Sequence, residues 1–319
     1  MLCTPYWCAP VVLAVQLVLL PGLSCAQSVP SDPQVSSEAP VAADAGSRAP
    51  ALPLPNAPLA PRPLSAYADS TLQRRVDTAL ARPVWSDLIA AGDMAVGVVD
   101  LTAPGVPRFA AVNGQEMMYA ASLPKIGILY AAVRQMETGT LFPSSSVRRD
   151  LEAMIRRSSN AAATRMIDRV GGLQAVNQAL TDPSVALYDA DQGGGIWVGK
   201  RFSSDDRRQP DPLQGLSHAA TAYQVARFYT LVATGQLVSR DRSAQMLEAL
   251  SDPGLNHKFV HTLQQRAPNA EVYRKSGSWR HWHADSALVW GPRRRYVLVA
   301  LVNDPRGESI LRDLVPAVE

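Results

Sequence analysis

Hydrophobic and polar positions along this chain follow two different rhythms. Short apolar runs at 94–100 (MAVGVVD) and 107–113 (PRFAAVN) read as strands, joined by a turn at Pro104-Gly105, and residues 66–91 read as helical. After Ser122 the period lengthens. Ile126, Leu129, Tyr130, Val133 and Met136 recur at three and four residues, so a helix is predicted there, with Gly139 as its stop. Val147, Leu151, Met154 and Ile155 predict a second helix over 147–157. A third follows Asn160 and stops at Gly171-Gly172. Val225, Phe228, Tyr229 and Val232 mark a fourth, from Thr221 to Gly235, and a fifth is expected at 243–250. Strands then return at 272–279, 284–290 and 295–302, before a last amphipathic helix carrying Ile310, Leu311, Leu314, Val315 and Val318. With strands at both ends and helices between, the expected class is α+β. One antiparallel sheet is built from both chain ends (66–121 and 255–319), with flanking helices and an inserted all-α lobe (122–254). The cleft between two such lobes is a natural ligand site.

The N-terminal part obeys neither rhythm. Residues 11–20 (VVLAVQLVLL) are too few to span a bilayer comfortably, and Ser24-Cys25-Ala26 has the small-x-small form of a processing site. Residues 1–26 therefore read as an export signal cut after Ala26, although no Lys or Arg precedes the apolar run. Cys25 as a lipid-modified first residue is the alternative, which Gly22, Leu23 and Ser24 fit poorly. Residues 27–65 are rich in Pro, Ala and Ser and read as an extended tether, leaving 66–319 as the folded domain. Cys3, Cys8 and Cys25 all precede the cut, so the mature chain would have neither disulfides nor a thiol nucleophile. It would also have no transmembrane segment.

Composition narrows the function. At 47% hydrophobic and 18% charged, the chain is that of a globular enzyme, and a net charge of +3 is too small to argue for nucleic acid or a membrane surface. Arginine supplies nearly all the positive charge. Lysine occurs only at Lys125, Lys200, Lys258 and Lys275, and two of these sit in short motifs. In Ser122-Leu123-Pro124-Lys125, residues three apart share a helix face. A desolvated lysine there can take the serine proton, which an arginine cannot do. A capping serine beside a surface lysine would look the same. Ser158-Ser159-Asn160, at a helix junction, offers a proton-relaying hydroxyl and an amide that both donates and accepts, or simply a helix cap. Lys275-Ser276-Gly277 offers a cation and a hydroxyl for a carboxylate, with a glycine that lets substrate approach the backbone, or else an ordinary strand end.

The order of the three motifs, and the stretches around them (MMYAASLPKIGILYAAVRQMETG, SSNAAATRMIDRVGG, TAYQVARFYTLVATGQLV, RKSGSWRH), resemble class A β-lactamases and penicillin-binding proteins over residues 66–319. The resemblance implies a serine hydrolase in the periplasm, a monomer without cofactor or metal, acting on a β-lactam or a peptidoglycan-type peptide. Ser122 would be acylated, with Lys125 as base or relay. Ser158 would protonate the leaving nitrogen, Asn160 would bind the substrate amide, and Lys275 and Ser276 would hold its carboxylate. The N–H groups of Ser122 and Ser278 would form the oxyanion hole. Two departures stand out. The second motif has serine where the family has aspartate, and no glutamate lies between Glu152 and Glu248 to activate the deacylating water. Asp182, Asp189, Asp191, Asp205, Asp206, Asp211 and His218 are the groups on offer, and Asp191 is the first choice, while Gly193-Gly194-Gly195 suggests a locally different, mobile loop. Without the glutamate, a D-alanyl-D-alanine peptidase-like cell-wall enzyme is an alternative, as is a non-catalytic periplasmic binder. Trp279, His281, Trp282 and His283 are candidates for lining the cleft. His257 and His261, four apart, lack further ligands for a metal, and Arg293-Arg294-Arg295 reads as a solvated hairpin turn.

Overall fold

A computed structural model describes residues 63–103, 106–202 and 208–319. The expected signal, nearly all of the tether, the Pro104-Gly105 turn, Asp205 and Asp206 lie outside them. The strands β1 (Met94–Asp100), β2 (Arg108–Val112), β8 (Glu271–Trp279), β9 (Trp282–Trp290) and β10 (Arg295–Asn303) form one antiparallel sheet in the order β2-β1-β10-β9-β8. Strand β1 therefore sits between its own hairpin partner and the last strand, with Met94 opposite Val302 and Asp100 opposite Tyr296. Both faces are covered, which explains why these strands read as near-continuous apolar runs. Met94, Val96, Val98, Leu298, Ala300 and Val302 face one core, shared with α1 (Ser70–Leu80), α9 (Phe259–Arg266) and α10 (Gly307–Val318). Ala95, Val99, Val297, Val299 and Leu301 face the other, with α7 (Ala222–Ala233) and the helical lobe.

That lobe is organised around α3 (Lys125–Glu137), which is buried nearly all round from Lys125 to Val133. Against it pack α4 (Ser145–Arg156), α5 (Asn160–Arg169), α6 (Gly172–Thr181) and α8 (Arg240–Leu250). Several boundaries differ from the sequence reading. The helical stretch 66–91 is two helices, α1 and α2 (Pro83–Ala90), broken where Pro83 starts the second. Gly171-Gly172 ends α5 and also begins α6, which was not expected; both glycines have positive φ, so they turn the chain sharply enough to restart a helix at once. Helix α8 begins earlier than 243, where the Ser239 side chain accepts the Arg242 N–H. Helix α9 was also missed; the left-handed Lys258 (φ 54°) precedes it.

The segment from Asp182 to Ser217 runs through β4 (Tyr188–Asp189), β5 (Gly194–Gly195) and β6 (Trp197–Val198). Its glycines serve close packing. A Cβ on Gly195 would stand 2.2 Å from the Leu187 carbonyl oxygen, and one on Gly193 2.4 Å from that of Gln115. Buried Asp211 accepts the N–H groups of Leu213, Gln214 and Leu216, and Asn177 exchanges two hydrogen bonds with the Val198 backbone. The glycine run expected to be a mobile loop is thus closely packed, and the described residues on either side of it are held by hydrogen bonds.

Arg274 and Asp285 form an ion pair inside the sheet, with side chains 3% and 0% exposed. Asp285 also accepts the Phe259 N–H at the start of α9. Asp285→Ala would strand the guanidinium in the core and is expected to cost about 3–5 kcal/mol, read as a fall in the urea midpoint.

Candidate active site

Ser122 lies on the tight turn that opens α3, where Leu123 N–H donates to Ala120 and Lys125 N–H to Ser122. Ala121 immediately before it is left-handed (φ 50°), a conformation non-glycine residues hold only when their surroundings impose it. The imposing surface is strand β8. A Cβ on Gly277 would come within 2.2 Å of the Ala120 oxygen and 2.7 Å of the Ser122 nitrogen. Gly277 therefore brings the strand backbone against the serine turn, and places Ser278 at its edge.

Lys125 is completely buried, and its Nζ donates to Ser122 Oγ at 3.1 Å, Ser158 O at 2.6 Å and Asn160 Oδ1 at 2.8 Å. Burial lowers its pKa to about 7. Lys275, 1% exposed on β8, donates to Ser158 Oγ at 2.9 Å and to the Ser276 carbonyl. Burial first, and the neighbouring Lys125 charge second, push its pKa well down. Ser158 also has a left-handed backbone (φ 56°), which aims its hydroxyl between the two ammonium groups. The capping role belongs to Ser159, which accepts the Ala162 N–H. Six of the predicted residues thus converge: Ser122, Lys125, Ser158, Asn160, Lys275 and Gly277. Ser276 is buried beside them, and Ser278 ends the row.

Asp191 does not join them. It is exposed on the short turn between β4 and β5, where its N–H donates to Asp189 and its neighbour Gln192 bonds Gln115. The hairpin's left-handed Gly193 and Gly194 lie against Gln115 and Met117, which fixes that position. Asp182 is held by Arg134 and Ser184, and Asp211 by backbone N–H groups. No carboxylate among the described residues contacts Ser122 or Lys125. Among the described residues of this segment, Phe202 faces Lys125, with its ring centroid 4.6 Å from Nζ. On Phe202 stacks His218 of β7 (His218–Ala220), with centroids 4.1 Å apart and planes at 3°. His218 is 2% exposed, both ring nitrogens lack a partner among the described residues, and burial lowers its pKa to about 3.

Sequence reasoning missed Phe202, Tyr119 and Lys258. Tyr119 makes edge contacts with Trp279 and Trp282 at 5.7 and 6.0 Å, so these two tryptophans build an aromatic wall at the site. His283 does not; its ring abuts Gly307, while the His281 carbonyl accepts the Asp304 N–H. Lys258 is fully buried; its Nζ donates to Gly277 O and to Ser278 Oγ at 2.7 Å, bracing β8 from behind. Its rarity was the available signal, since it is one of four lysines in the chain. His257 precedes α9, so it does not share a helix with His261. Among the described residues no three His, Cys, Asp or Glu form a metal-binding group, and no helix is long and apolar enough to cross a membrane.

Comparison with known proteins finds likenesses of fold. The fold matches a beta-lactamase from Sphaerobacter thermophilus (TM-score 0.59, 20% identity, covering 76% of this chain and 95% of that one). It matches PBP-A with TM-score 0.57 and 20% identity, over 79% of this chain and 95% of that one. A beta-lactamase from Chitinophaga pinensis gives TM-score 0.59 at 15% identity, over 78% and 97%. At these identities the likeness is one of fold. No match is found among curated proteins. The family model for the beta-lactamase enzyme family matches residues 143–317, which include the second and third motifs. With more than half its length matched, the chain belongs to the beta-lactamase enzyme family.

Proposed function

We propose that the protein is a serine hydrolase that opens a β-lactam or a related amide through an acyl-enzyme on Ser122. The observation that carries this reading is the 3.1 Å contact between Ser122 Oγ and a buried Lys125 whose pKa lies near 7. At neutral pH a sizeable fraction of Lys125 is uncharged and can take the serine proton as the hydroxyl attacks the carbonyl carbon. The N–H groups of Ser122 and Ser278 then stabilise the oxyanion. Ser158, held between Lys125 and Lys275, passes a proton to the leaving nitrogen. Lys275 and Ser276 bind the substrate carboxylate, and Asn160 its amide. An arriving carboxylate also supplies counter-charge to two adjacent lysines that form no ion pair among the described residues.

Intact-protein mass spectrometry over time, with a penicillin and a cephalosporin, tests this. An adduct of the drug's mass on the wild type and none on Ser122→Ala is expected; no adduct on either would sink the reading in favour of a non-catalytic binder. Gly277→Ala, which forces β8 away from Ser122, is expected to slow adduct formation at least about 100-fold, the scale of one lost oxyanion donor.

A second reading has one observation in its favour. Phe202, and no described carboxylate, faces Lys125. Release of the acyl group would then be slow on β-lactams, as suits a D-alanyl-D-alanine peptidase-like enzyme of the cell wall. An adduct that persists while free drug is not consumed supports it; rapid decay with turnover supports a β-lactamase. Export through residues 1–26 belongs to either reading, and N-terminal sequencing of periplasmic protein would test cleavage after Ala26.

A further inference from the structure

Lys258 takes no part in the acylation steps above, yet its place in the fold is costly. It is fully buried and forms no ion pair among the described residues. Its backbone is left-handed, with φ 54° and ψ −126°, a conformation that non-glycine residues hold only under constraint. Glycine would take this turn without strain, and leucine would fill the space without removing a charge from water. What neither supplies is an ammonium group. Its three N–H donors meet three oxygens: Gly277 O, Ser278 Oγ at 2.7 Å and Ala284 O at 3.1 Å. Burial lowers its pKa only to about 8, so the charged form prevails at neutral pH. The turn is fixed by the next residue, whose N–H donates to Asp285, itself paired with Arg274.

The direction of these bonds decides what they do. Strand β8 is an edge strand, paired with β9 on one side only, and its Gly277 lies against the Ser122 turn. Gly277 stands opposite Ala284 of β9, and one ammonium reaches both of their carbonyls. The Gly277 carbonyl therefore points into the seam between the two strands. A trans peptide carries its N–H opposite its C=O. The N–H of this peptide belongs to Ser278, and it points out of the seam, toward the open edge. Lys258 thus grips one end of a planar group whose other end is the N–H assigned to the oxyanion. A charge-assisted hydrogen bond restrains that plane more firmly than a neutral one would. It also draws electron density toward the carbonyl oxygen, which makes the N–H a stronger donor. The bond to Ser278 Oγ fixes the following residue in the same way.

We propose that Lys258 is a positioning residue for acyl transfer, aiming and polarising the Ser278 N–H at the oxyanion that forms as Ser122 attacks. The proposal rests on the acyl-enzyme reading. Stopped-flow acylation of the full-length protein by a penicillin, over a range of concentrations, tests it in wild type, Lys258→Gln and Lys258→Arg. Glutamine, which removes the charge, should lower the limiting acylation rate at least about tenfold, part of the roughly 100- to 1000-fold that deleting an oxyanion donor costs. The half-saturating penicillin concentration should hardly move. Arginine, which keeps the charge and the donors, should recover most of the rate. Difference infrared spectroscopy of the acyl-enzyme adds a readout that loosened packing does not mimic. The ester carbonyl stretch should rise in Lys258→Gln, as the hydrogen bonds to it weaken, and return toward the wild-type value in Lys258→Arg. Lys258→Met, uncharged and close in length, repeats the test with the same expected outcomes where glutamine fails to fold. Acylation of the uncharged variants at the wild-type rate overturns the proposal, as does a loss confined to penicillin affinity. Slower acylation with an unmoved carbonyl band, or arginine no better than glutamine, places the effect in packing and overturns it too. A wild type that forms no adduct is a failure of the acyl-enzyme reading, which takes the proposal with it. A wild type that labels beside variants that label equally fast is a failure of the positioning role alone.

Discussion

Lys125→Met is expected to slow acylation of Ser122 by about 100- to 10,000-fold, the range a positioned general base supplies. Methionine fills similar space but cannot accept a proton. Lys125→Arg is the sharper control, because it keeps a positive charge yet does not deprotonate in proteins. If Lys125 acted only as a charge, arginine would rescue; if it is the base, arginine fails as methionine does. The pH profile carries the same information. Burial lowers the Lys125 pKa from 10.5 to about 7. The neutral base is therefore depleted as pH falls through 7 and accumulates as pH rises through it. Stopped-flow labelling with a fluorescent penicillin should show an acylation rate that climbs with a midpoint near 7. A flat profile from pH 5 to 9, or an arginine variant within a few-fold of wild type, would remove Lys125 from the role of base.

Much of this site was legible because it is built from local spacings. Ser122 and Lys125 are one helical turn apart, and the strand period places Lys275 and Gly277 on one side of β8. Those relations survive without knowing the tertiary fold. The strands of the sheet were legible for the same reason, since burial on both faces writes itself as an apolar run. Lys258 was legible in principle. The scarcity of lysine that singled out Lys125 and Lys275 applies equally to it, and only the absence of a motif around it hid its role. Trp282 and His283 could have been separated as well. Strand alternation turns Trp282 toward Tyr119 and the His283 ring toward Gly307.

Asp191 was not legible. Chemical type selected it, while its position depends on where a hairpin made by Gly193 and Gly194 docks against Gln115 and Met117. Phe202 was overlooked for the converse reason. Nothing in its type suggests a place beside Lys125, and its neighbours in space, Lys125 and His218, lie 77 and 16 residues away (202 − 125 and 218 − 202). A long segment without a dominant period carries little record of which of its side chains turns inward.

Phe202→Ala is expected to shorten the life of the acyl-enzyme at least about tenfold, a small part of what general-base catalysis can contribute. The Phe202 ring occupies the space between Lys125 Nζ and the His218 ring, and keeps both groups poorly hydrated. His218, with a pKa near 3, is then neutral at working pH but a feeble base. Its two ring nitrogens are nevertheless buried without partners among the described residues, so they can hydrogen-bond a water that reaches them. Truncating Phe202 admits solvent to this pocket. Hydration returns the His218 pKa toward the ordinary 6.5, where imidazole is a useful base, and raises that of Lys125 above 7. Two readouts should therefore move together. Acyl-enzyme decay followed by mass spectrometry should quicken, and the midpoint of the acylation profile should shift to higher pH. Adding His218→Ala to Phe202→Ala should cancel the first and leave the second. If decay in Phe202→Ala matches wild type while the acylation midpoint does shift, then solvent reaches Lys125 but His218 does not activate water. If neither moves, the ring is not what keeps the site dry.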